Sequence, residues 1–219
     1  MFPPSLITLL LMLSSLAGSP ESPCRGEVAW SRLSTLLEQR PDTPLQGRFE
    51  QERESPLLAE PIRSTGRFAL ADGLVRFDTE TPYPSVMLIE AESVTIYYPE
   101  ENAAERYPLG TDHGPLGALM RGDLAALQTQ YQLALTEQDG VFEAKLHRSA
   151  SDNAPNEQVI FSINQETGAL LEAVFSPDDA PQTRLRFLDV SAHAELTAND
   201  IRLEMPEGVK LSDLTEATP

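Results

Sequence analysis

Residues 66–109 read GRFALADGLVRFDTETPYPSVMLIEAESVTIYYPEENAAERYPL, and this stretch decides the fold. Short runs of aliphatic, β-branched and aromatic residues alternate with turn residues, and no run has helical periodicity. Val75 and Phe77 point to one face of a strand because strand side chains alternate with a period of two. Asp72-Gly73 is a strong hairpin signal between two such runs. The stretch therefore predicts an antiparallel meander with one apolar face.

A helix is predicted upstream of this meander, over residues 26–40. Trp30, Leu33 and Leu37 recur there at helical spacing, and Pro41 stops the pattern because the residue before a proline avoids helical geometry. A helix with one apolar face needs a surface to pack on. The sheet predicted by the downstream strands is the available partner.

A second helical region follows Gly114. Pro115 suits a first helical position, and Gly122-Asp123 predicts a break in which glycine ends one helix and aspartate caps the next. The two pieces are expected to share one apolar face. Its members recur at intervals of three and four residues: Leu116, Leu119, Met120, Leu124 and Leu127.

Strand patterns return from residue 131 onward. Asp139-Gly140 predicts another hairpin turn, and a last strand is expected at residues 201–205. The whole chain contains about 11 predicted strands, enough for a sheet to curl toward a barrel. At 219 residues, with 41% hydrophobic and 23% charged residues, the chain can form one domain of the all-β or α+β kind.

The charge balance excludes two classes of partner. The chain has 34 acidic and 16 basic residues and a net charge of -18. Such a chain repels phosphate backbones and anionic head groups. We therefore expect no nucleic acid partner and no electrostatic binding to membranes.

The N-terminal residues predict export. Residues 6–16 are almost wholly apolar, too short to span a bilayer and typical of a secretory h-region, although residues 1–5 have no Lys or Arg. Small residues favour cleavage after Ala17, so we expect a signal peptide at 1–17 and a single domain at 18–219. Cys24 is the only cysteine, and Pro23 and Glu21 do not fit a lipidation signal. A free thiol is the expectation.

The sequence offers little for catalysis. His113, His147 and His193 are scattered without metal-ligand spacing, and no nucleophile elbow or phosphate-binding glycine loop is present. We therefore predict no catalytic residue, no metal and no cofactor.

The order of several short motifs resembles the LolA family of periplasmic outer-membrane lipoprotein carriers. No single motif is strong, but their order and spacing match. The motifs are Gly47-Arg48-Phe49-Glu50-Gln51, Gly66-Arg67-Phe68, Val75-Arg76-Phe77, Thr81-Pro82, Ile96-Tyr97-Tyr98-Pro99, Pro115-Leu116-Gly117-Ala118-Leu119-Met120 and Met205-Pro206-Glu207-Gly208-Val209.

The resemblance implies an α+β fold in which a strongly curved antiparallel sheet forms an unclosed barrel covered by short helices. It implies a carrier, or chaperone, with an apolar cavity for the acyl chains of a lipoprotein or lipid. The implied partners are this cargo, an inner-membrane donor complex and an outer-membrane acceptor, and the carrier is expected to be a periplasmic monomer. The residues expected to line the cavity and its lid are Phe68, Val75, Phe77, Leu88, Ile96, Leu116, Leu119 and Met120.

One departure from the family concerns the lid. Where the carriers have an Arg-Pro whose arginine latches the helical lid, this chain has Asp72-Gly73. The lid is therefore expected to be held mainly by Leu116, Leu119 and Leu124, and to open more readily. The departure leaves two alternatives open: a carrier of another lipid or glycolipid, and an envelope lipid or stress sensor on the same fold.

Overall fold

The computed structural model describes residues 23–40, 43–108, 114–149, 156–178 and 180–215. The predicted signal peptide at 1–17 and His113 lie outside these ranges. The described chain forms one sheet of 13 strands and four α-helices. The helices are α1 Glu27–Glu38, α2 Pro115–Arg121, α3 Leu124–Gln130 and α4 Ala198–Ile201. The strands are β1 Cys24–Arg25, β2 Leu45–Arg53, β3 Ile62–Ala71, β4 Leu74–Thr81, β5 Ser85–Ile89, β6 Ser93–Tyr98, β7 Ala103–Pro108, β8 Gln132–Gln138, β9 Val141–Arg148, β10 Glu157–Asn164, β11 Leu170–Pro177, β12 Thr183–Ala192 and β13 Lys210–Asp213.

The sheet curves strongly without closing. Its strand order is β1-β8-β9-β10-β11-β12-β2-β3-β4-β5-β6-β7-β13, so β1 and β13 are the two edges. Neighbouring strands are antiparallel, except that β13 runs parallel to β7. This confirms the predicted α+β fold with an unclosed barrel and short helices. The two edge strands were hard to predict because β1 has two residues and all four residues of β13 are exposed.

The tight turns follow the sequence signals. Asp72 and Gly73 have φ angles of 49° and 78°, and Asp139 and Gly140 have φ angles of 52° and 77°. Both central residues of a type I′ hairpin turn need positive φ, which aspartate tolerates and glycine adopts without strain. The two predicted hairpins are therefore confirmed.

The predicted helix break is also confirmed. Gly122 ends α2 in the left-handed region with a φ of 76°. The Asp123 carboxylate then accepts a 3.2 Å hydrogen bond from the backbone N–H of Ala126 and caps α3. The helical region therefore consists of two short pieces joined at a flexible backbone position.

The strand expected at residues 201–205 is wrong. The short helix α4 ends at Ile201, and residues 202–205 are neither helix nor strand. Thr197 and Asp200 begin α4 with a capping box that satisfies N–H groups of its first turn. α4 contacts β3 and β4, and Lys210 then pairs with Ala103 of β7. Residues 202–209 therefore connect α4, beside β3 and β4, to β13 at the edge beside β7.

One continuous apolar face forms the inside of the sheet. Cross-strand pairing aligns one inner row across five strands, and every member of the row is at most 6% exposed. The row consists of Leu135, Ala144, Phe161, Ala173 and Leu185. Helix α1 covers this half of the sheet with Ala29 and Leu33, both fully buried. The hydrophobic effect of burying this face is the main stabilising term of the fold.

Candidate lipid-binding site

Four phenylalanine rings form the centre of the inner face. Phe68 lies 5.1 Å from Phe187 and 6.2 Å from Phe77, and Phe49 lies 5.5 Å from Phe77, measured between ring centroids. These separations are typical of favourable aromatic pairs. The four rings come from β2, β3, β4 and β12, which are neighbours in the sheet. They form the floor of the apolar interior.

Two glycines make room for these rings. In the register of β2 and β3, Gly47 pairs with Phe68 and Phe49 pairs with Gly66. A Cβ on Gly47 would lie 2.7 Å from Cε1 of Phe68, and one on Gly66 would lie 2.8 Å from Cε1 of Phe49. The two Gly-Arg-Phe motifs thus lie side by side on neighbouring antiparallel strands. Each glycine accommodates the aromatic ring of the other motif.

Seven of the eight predicted cavity residues lie in or against the hydrophobic cluster on the inner side. Ile96 and Leu116 are partly buried and pack against this cluster. The other five are at most 6% exposed: Phe68, Val75, Phe77, Leu119 and Met120. The strands supply four of the seven, and α2 supplies the other three. That they contact a cargo stays a prediction.

Leu88 is the exception and lies on the other face. It pairs with Arg76 and Thr95, whereas its neighbours Met87 and Ile89 pair with the inner-face positions of β4 and β6. Leu88 is 4% exposed, and its neighbour Arg76 on this face donates hydrogen bonds to the backbone oxygens of Ile201 and Arg202. The expectation that Leu88 lines the cavity is therefore corrected. Sequence reasoning missed Met87 and Ile89 because all four residues of the run 86–89 are apolar, so alternation gave no signal.

An arginine joins the lid to the first helix. Nη2 of Arg40, which follows α1, donates a 3.1 Å hydrogen bond to the backbone oxygen of Leu119 near the end of α2. Burial lowers the pKa of the Arg40 guanidinium below its usual value, but an arginine keeps its charge at neutral pH. The expectation that apolar contacts are the main support of the lid is therefore incomplete. Position 72 lacks an arginine, and Arg40 contacts the lid from a different element.

The apolar interior is closed in this structure. A small cavity of about 20 Å³, the size needed for about one water-sized sphere, lies between the lid and the floor. Its apolar lining includes Leu45, Phe68, Leu70, Met120, Leu170 and Phe187. An acyl chain could occupy the interior only if the lid helices moved away from the sheet.

Comparison with known proteins agrees with this architecture. The family described as outer membrane lipoprotein carrier protein LolA matches residues 43–200 of the chain. This chain belongs to the LolA family.

Three solved structures are similar to this LolA-family chain at low sequence identity. An uncharacterized conserved protein from Thermus thermophilus is 14% identical, with a TM-score of 0.53, and the match covers 84% of this chain and 98% of that one. A LolA superfamily protein from Nitrosomonas europaea is 13% identical, with a TM-score of 0.45, covering 80% and 97%. A DUF1329 family protein from Desulfovibrio piger is 8% identical, with a TM-score of 0.47, covering 80% and 96%. No curated protein sequence matches this chain.

Family membership assigns this LolA-family chain to a lipid- or lipoprotein-binding fold of the carrier type, which is a binding role and not a known catalytic one. Within the described ranges, no three His, Cys, Asp or Glu side chains are grouped so that they could hold a metal. No helix in the same ranges is long and apolar enough to cross a membrane.

A polar cleft lies above the closed interior of this LolA-family chain. Its volume is about 540 Å³, and it is bounded by the end of α1, the hairpin turn at residues 72–73 and the junction of α2 and α3. Arg40 and Arg121 contribute positive charge, and Glu38 and Asp72 contribute negative charge. Burial lowers the pKa of Arg121, while the nearby Asp123 carboxylate raises it. Sequence patterns did not reveal this cleft, because its walls come from three separate regions of the chain.

Proposed function

We propose that this protein is a periplasmic carrier that holds the acyl chains of a lipoprotein or lipid inside its curved sheet and transfers the cargo toward the outer membrane. The observation that carries the proposal is the continuous apolar inner face, covered by short helices, in a chain of the lipoprotein-carrier family. The predicted signal peptide supports export to the periplasm.

The short lid helices α2 and α3 support the proposal that the interior can open. Helices α2 and α3 have seven residues each and are joined at Gly122. Helices this short have little stability of their own and depend on packing against the sheet. Ligand-binding lids are drawn from such low-stability elements. Acyl chains would then replace the packing of α2 on the phenylalanine floor.

The energetics of an acyl chain explain why a carrier is needed. A chain of about 14 methylenes gains roughly 11 kcal/mol on leaving water, at about 0.8 kcal/mol for each methylene. Such a chain does not cross an aqueous compartment unaided at a useful rate. The carrier must shield the chain and also release it, so its affinity has to lie between those of the donor and the acceptor. We infer an inner-membrane donor complex and an outer-membrane acceptor as its partners, and a monomer as the working form.

Binding of a fluorescent fatty acid to the purified mature protein tests the cavity. We expect binding without an energised donor complex, and displacement by unlabelled fatty acid. An Arg63→Met variant is a suitable control, because Arg63 is 73% exposed and pairs only with Glu52 at the surface among the contacts that the structure describes. If the folded protein binds no acyl probe, the cavity hypothesis fails.

A transfer assay separates a carrier from a sensor. Donor vesicles with a self-quenched fluorescent lipid are mixed with unlabelled acceptor vesicles, and the fluorescence increase is followed. A carrier raises the transfer rate in proportion to its concentration. Binding without any transfer would contradict the carrier and favour the sensor.

A further inference from the structure

A row of inner-face residues leads from the phenylalanine floor to a carboxylate. Cross-strand pairing aligns five residues of β3 to β7 in this order: Phe68, Phe77, Met87, Ile96 and Glu105. Paired residues of neighbouring strands point to the same face of a sheet. Neighbouring strands lie about 4.8 Å apart, so the row spans roughly 19 Å along the sheet. Its first four members are apolar, and it ends on a negative charge.

The far half of this row is less buried than the near half. Phe68 is 4% exposed and Phe77 is 3% exposed. Met87, Ile96 and Glu105 are only partly buried. Beyond β7 lies only the edge strand β13 within the described chain, and all four residues of β13 are exposed. The carboxylate end of the row is therefore partly accessible even while the interior is closed.

Two tyrosines flank Glu105 on the inner face. Tyr107 is two residues further along β7, and its hydroxyl donates a 2.6 Å hydrogen bond to Oε2 of Glu105. Tyr98 lies on β6, diagonal to Glu105, because it pairs with Ala103. Burial and then the charge of Glu105 raise the pKa of Tyr98, and the hydrogen bond to Glu105 is the main cause that raises the pKa of Tyr107. Both hydroxyls therefore remain protonated at physiological pH.

Glu105 forms no ion pair with any residue that the structure describes. Its neighbour Arg106 points to the outer face and pairs there with Asp213 at 3.4 Å. Lys210 lies on the adjacent edge strand β13 and likewise forms no ion pair among the described residues. A carboxylate has about four acceptor sites, and the hydroxyl of Tyr107 occupies one of them. Glu105 therefore keeps charge and acceptor capacity for a ligand that carries a donor.

A positively charged head group fits this end of the row. An ammonium group donates charge-assisted hydrogen bonds to a carboxylate, and the faces of tyrosine rings attract cations. The net charge of -18 also attracts cations toward the protein. Glu105 would repel a phosphate or a carboxylate, and an uncharged head group would gain only an ordinary hydrogen bond.

We propose that Glu105, Tyr98 and Tyr107 bind the ammonium head group of a lipid whose acyl chain lies along the row toward the phenylalanine floor. Glu105 accepts the hydrogen bonds of the ammonium, Tyr107 holds the carboxylate in position, and the two tyrosine rings contact the cation. The acyl chain reaches the floor once the lid helices move away from the sheet. This inference rests on the proposed carrier function and names the class of its cargo.

Pyrene-labelled probes with the same chain test the proposal on the purified mature protein. They are an alkylammonium, the corresponding alcohol and the corresponding fatty acid. We expect the ammonium to bind roughly tenfold more tightly than the alcohol, because a hydrogen bond between charged groups is about twice as strong as a neutral one. The fatty acid should bind most weakly of the three. A trimethylammonium probe has no N–H donor and should keep only the part of the preference that the tyrosine rings supply.

Variants then assign the preference to this end of the row. Glu105→Gln keeps an acceptor for Tyr107 but removes the charge, so it should abolish most of the preference for ammonium over alcohol. Glu60→Gln makes the same change in net charge in the exposed loop between β2 and β3 and should leave the preference unchanged. Tyr107→Phe keeps the ring and should reduce the preference about threefold. Thermal unfolding verifies that each variant is folded, and Tyr107→Phe is the milder change if Glu105→Gln is not.

Four results would overturn the proposal. If the ammonium and alcohol probes bind equally, the head-group site is wrong, but the carrier function stands. If the preference persists in folded Glu105→Gln, or falls as much in Glu60→Gln, the overall negative charge selects the cation and this site does not. If no ammonium lipid shows the preference but an acylated lysine peptide does, the recognised cargo is a polypeptide and not a lipid. If no probe binds to the folded protein, both the site and the proposed carrier function fail.

Discussion

The Arg40 guanidinium and the Leu119 carbonyl join the ends of two helices. Nη2 of Arg40 lies 3.1 Å from this oxygen, which also accepts a hydrogen bond from the backbone N–H of Gly122. Carbonyl groups at the end of a helix carry partial negative charge, so a cation is favoured there. The contact holds α2 to α1 at the side where the interior would open.

Replacing Arg40 with Met should therefore loosen the lid. A hydrogen bond from a charged donor contributes roughly 1.5 kcal/mol or more, which corresponds to about a tenfold change in an opening equilibrium. We expect faster uptake of a fluorescent fatty acid in stopped-flow experiments and faster hydrogen exchange of the α2 amides. Arg63→Met is the control. Unchanged exchange in α2 would show that Arg40 does not hold the lid.

An arginine at position 72 should slow the opening of the lid, whereas Arg40→Met should speed it. Asp72 and Gly122 line the same cleft, so Asp72→Arg is expected to introduce a donor that can reach the end of α2. Uptake should become slower, but by a smaller factor than Arg40→Met accelerates it, because Arg40 already contacts the lid. The φ of 49° at this position makes arginine cost about 1 kcal/mol, and Asp72→Asn is the control that keeps the turn. Faster uptake in the arginine variant would contradict this prediction.

Two leucines of α2 should respond differently to an acidic substitution. Leu119 is 1% exposed, so Leu119→Asp leaves an unpaired buried charge and should lower the free energy of unfolding by roughly 3 kcal/mol or more. Leu116 is only partly buried at the lid, so Leu116→Asp should cost roughly 1 kcal/mol and weaken acyl binding instead. Chemical denaturation and probe titration measure the two effects.

Because Leu119 is buried in this structure, its acidic substitution is expected to affect folding more than acyl binding. If Leu116→Asp loses stability as much as Leu119→Asp, and binding falls only in proportion, Leu116 is ordinary core.

Gly66→Ala should destabilise the floor of the interior. The new Cβ would clash with the backbone of Asp78 and with the Phe49 ring, so β3 or the ring must shift. We expect a loss of about 1–3 kcal/mol in the free energy of unfolding. Gly114→Ala is the control, because no atom of the described residues, chain neighbours aside, lies within 4 Å of its Cβ position, and it should cost no more than about 1 kcal/mol. Equal losses in the two variants would show that the close packing at Gly66 is not limiting.

The exported protein should begin near Gly18 and carry no acyl group. Cys24 lies in β1, pairs with Leu135 and packs against the hydrophobic cluster, so its thiol belongs to the fold. Intact-mass measurement of protein from the periplasmic fraction decides both points. A retained leader, or a mass increase equal to acyl chains on Cys24, would contradict the prediction.

Much of the local structure followed from short stretches of sequence. The turn at Asp72-Gly73 and the break at Gly122-Asp123 were predictable because they depend on which φ angles each residue tolerates. Alternation placed Val75 and Phe77 on one face because it needs no knowledge of the partner strand. The order of the motifs then indicated the family, which the match over residues 43–200 confirms.

Long-range contacts decided the rest. Leu88 was assigned to the wrong face because its neighbours are all apolar, and only its pairing with Arg76 and Thr95 shows the side. Arg40 and Leu119 are 79 residues apart, so no local pattern connects them. Their contact exists because the sheet brings α1 and α2 over the same face.

The sequence by itself therefore determined the turns, the helix break and the apolar alternation, because these depend on backbone sterics and on the period of each element. Only the tertiary structure decided which face Leu88 occupies, which arginine holds the lid, and that Thr43 and Arg121 line one cleft. The physical reason is that register and helix packing depend on residues far apart in the chain, whose proximity is set by burial of the whole inner face.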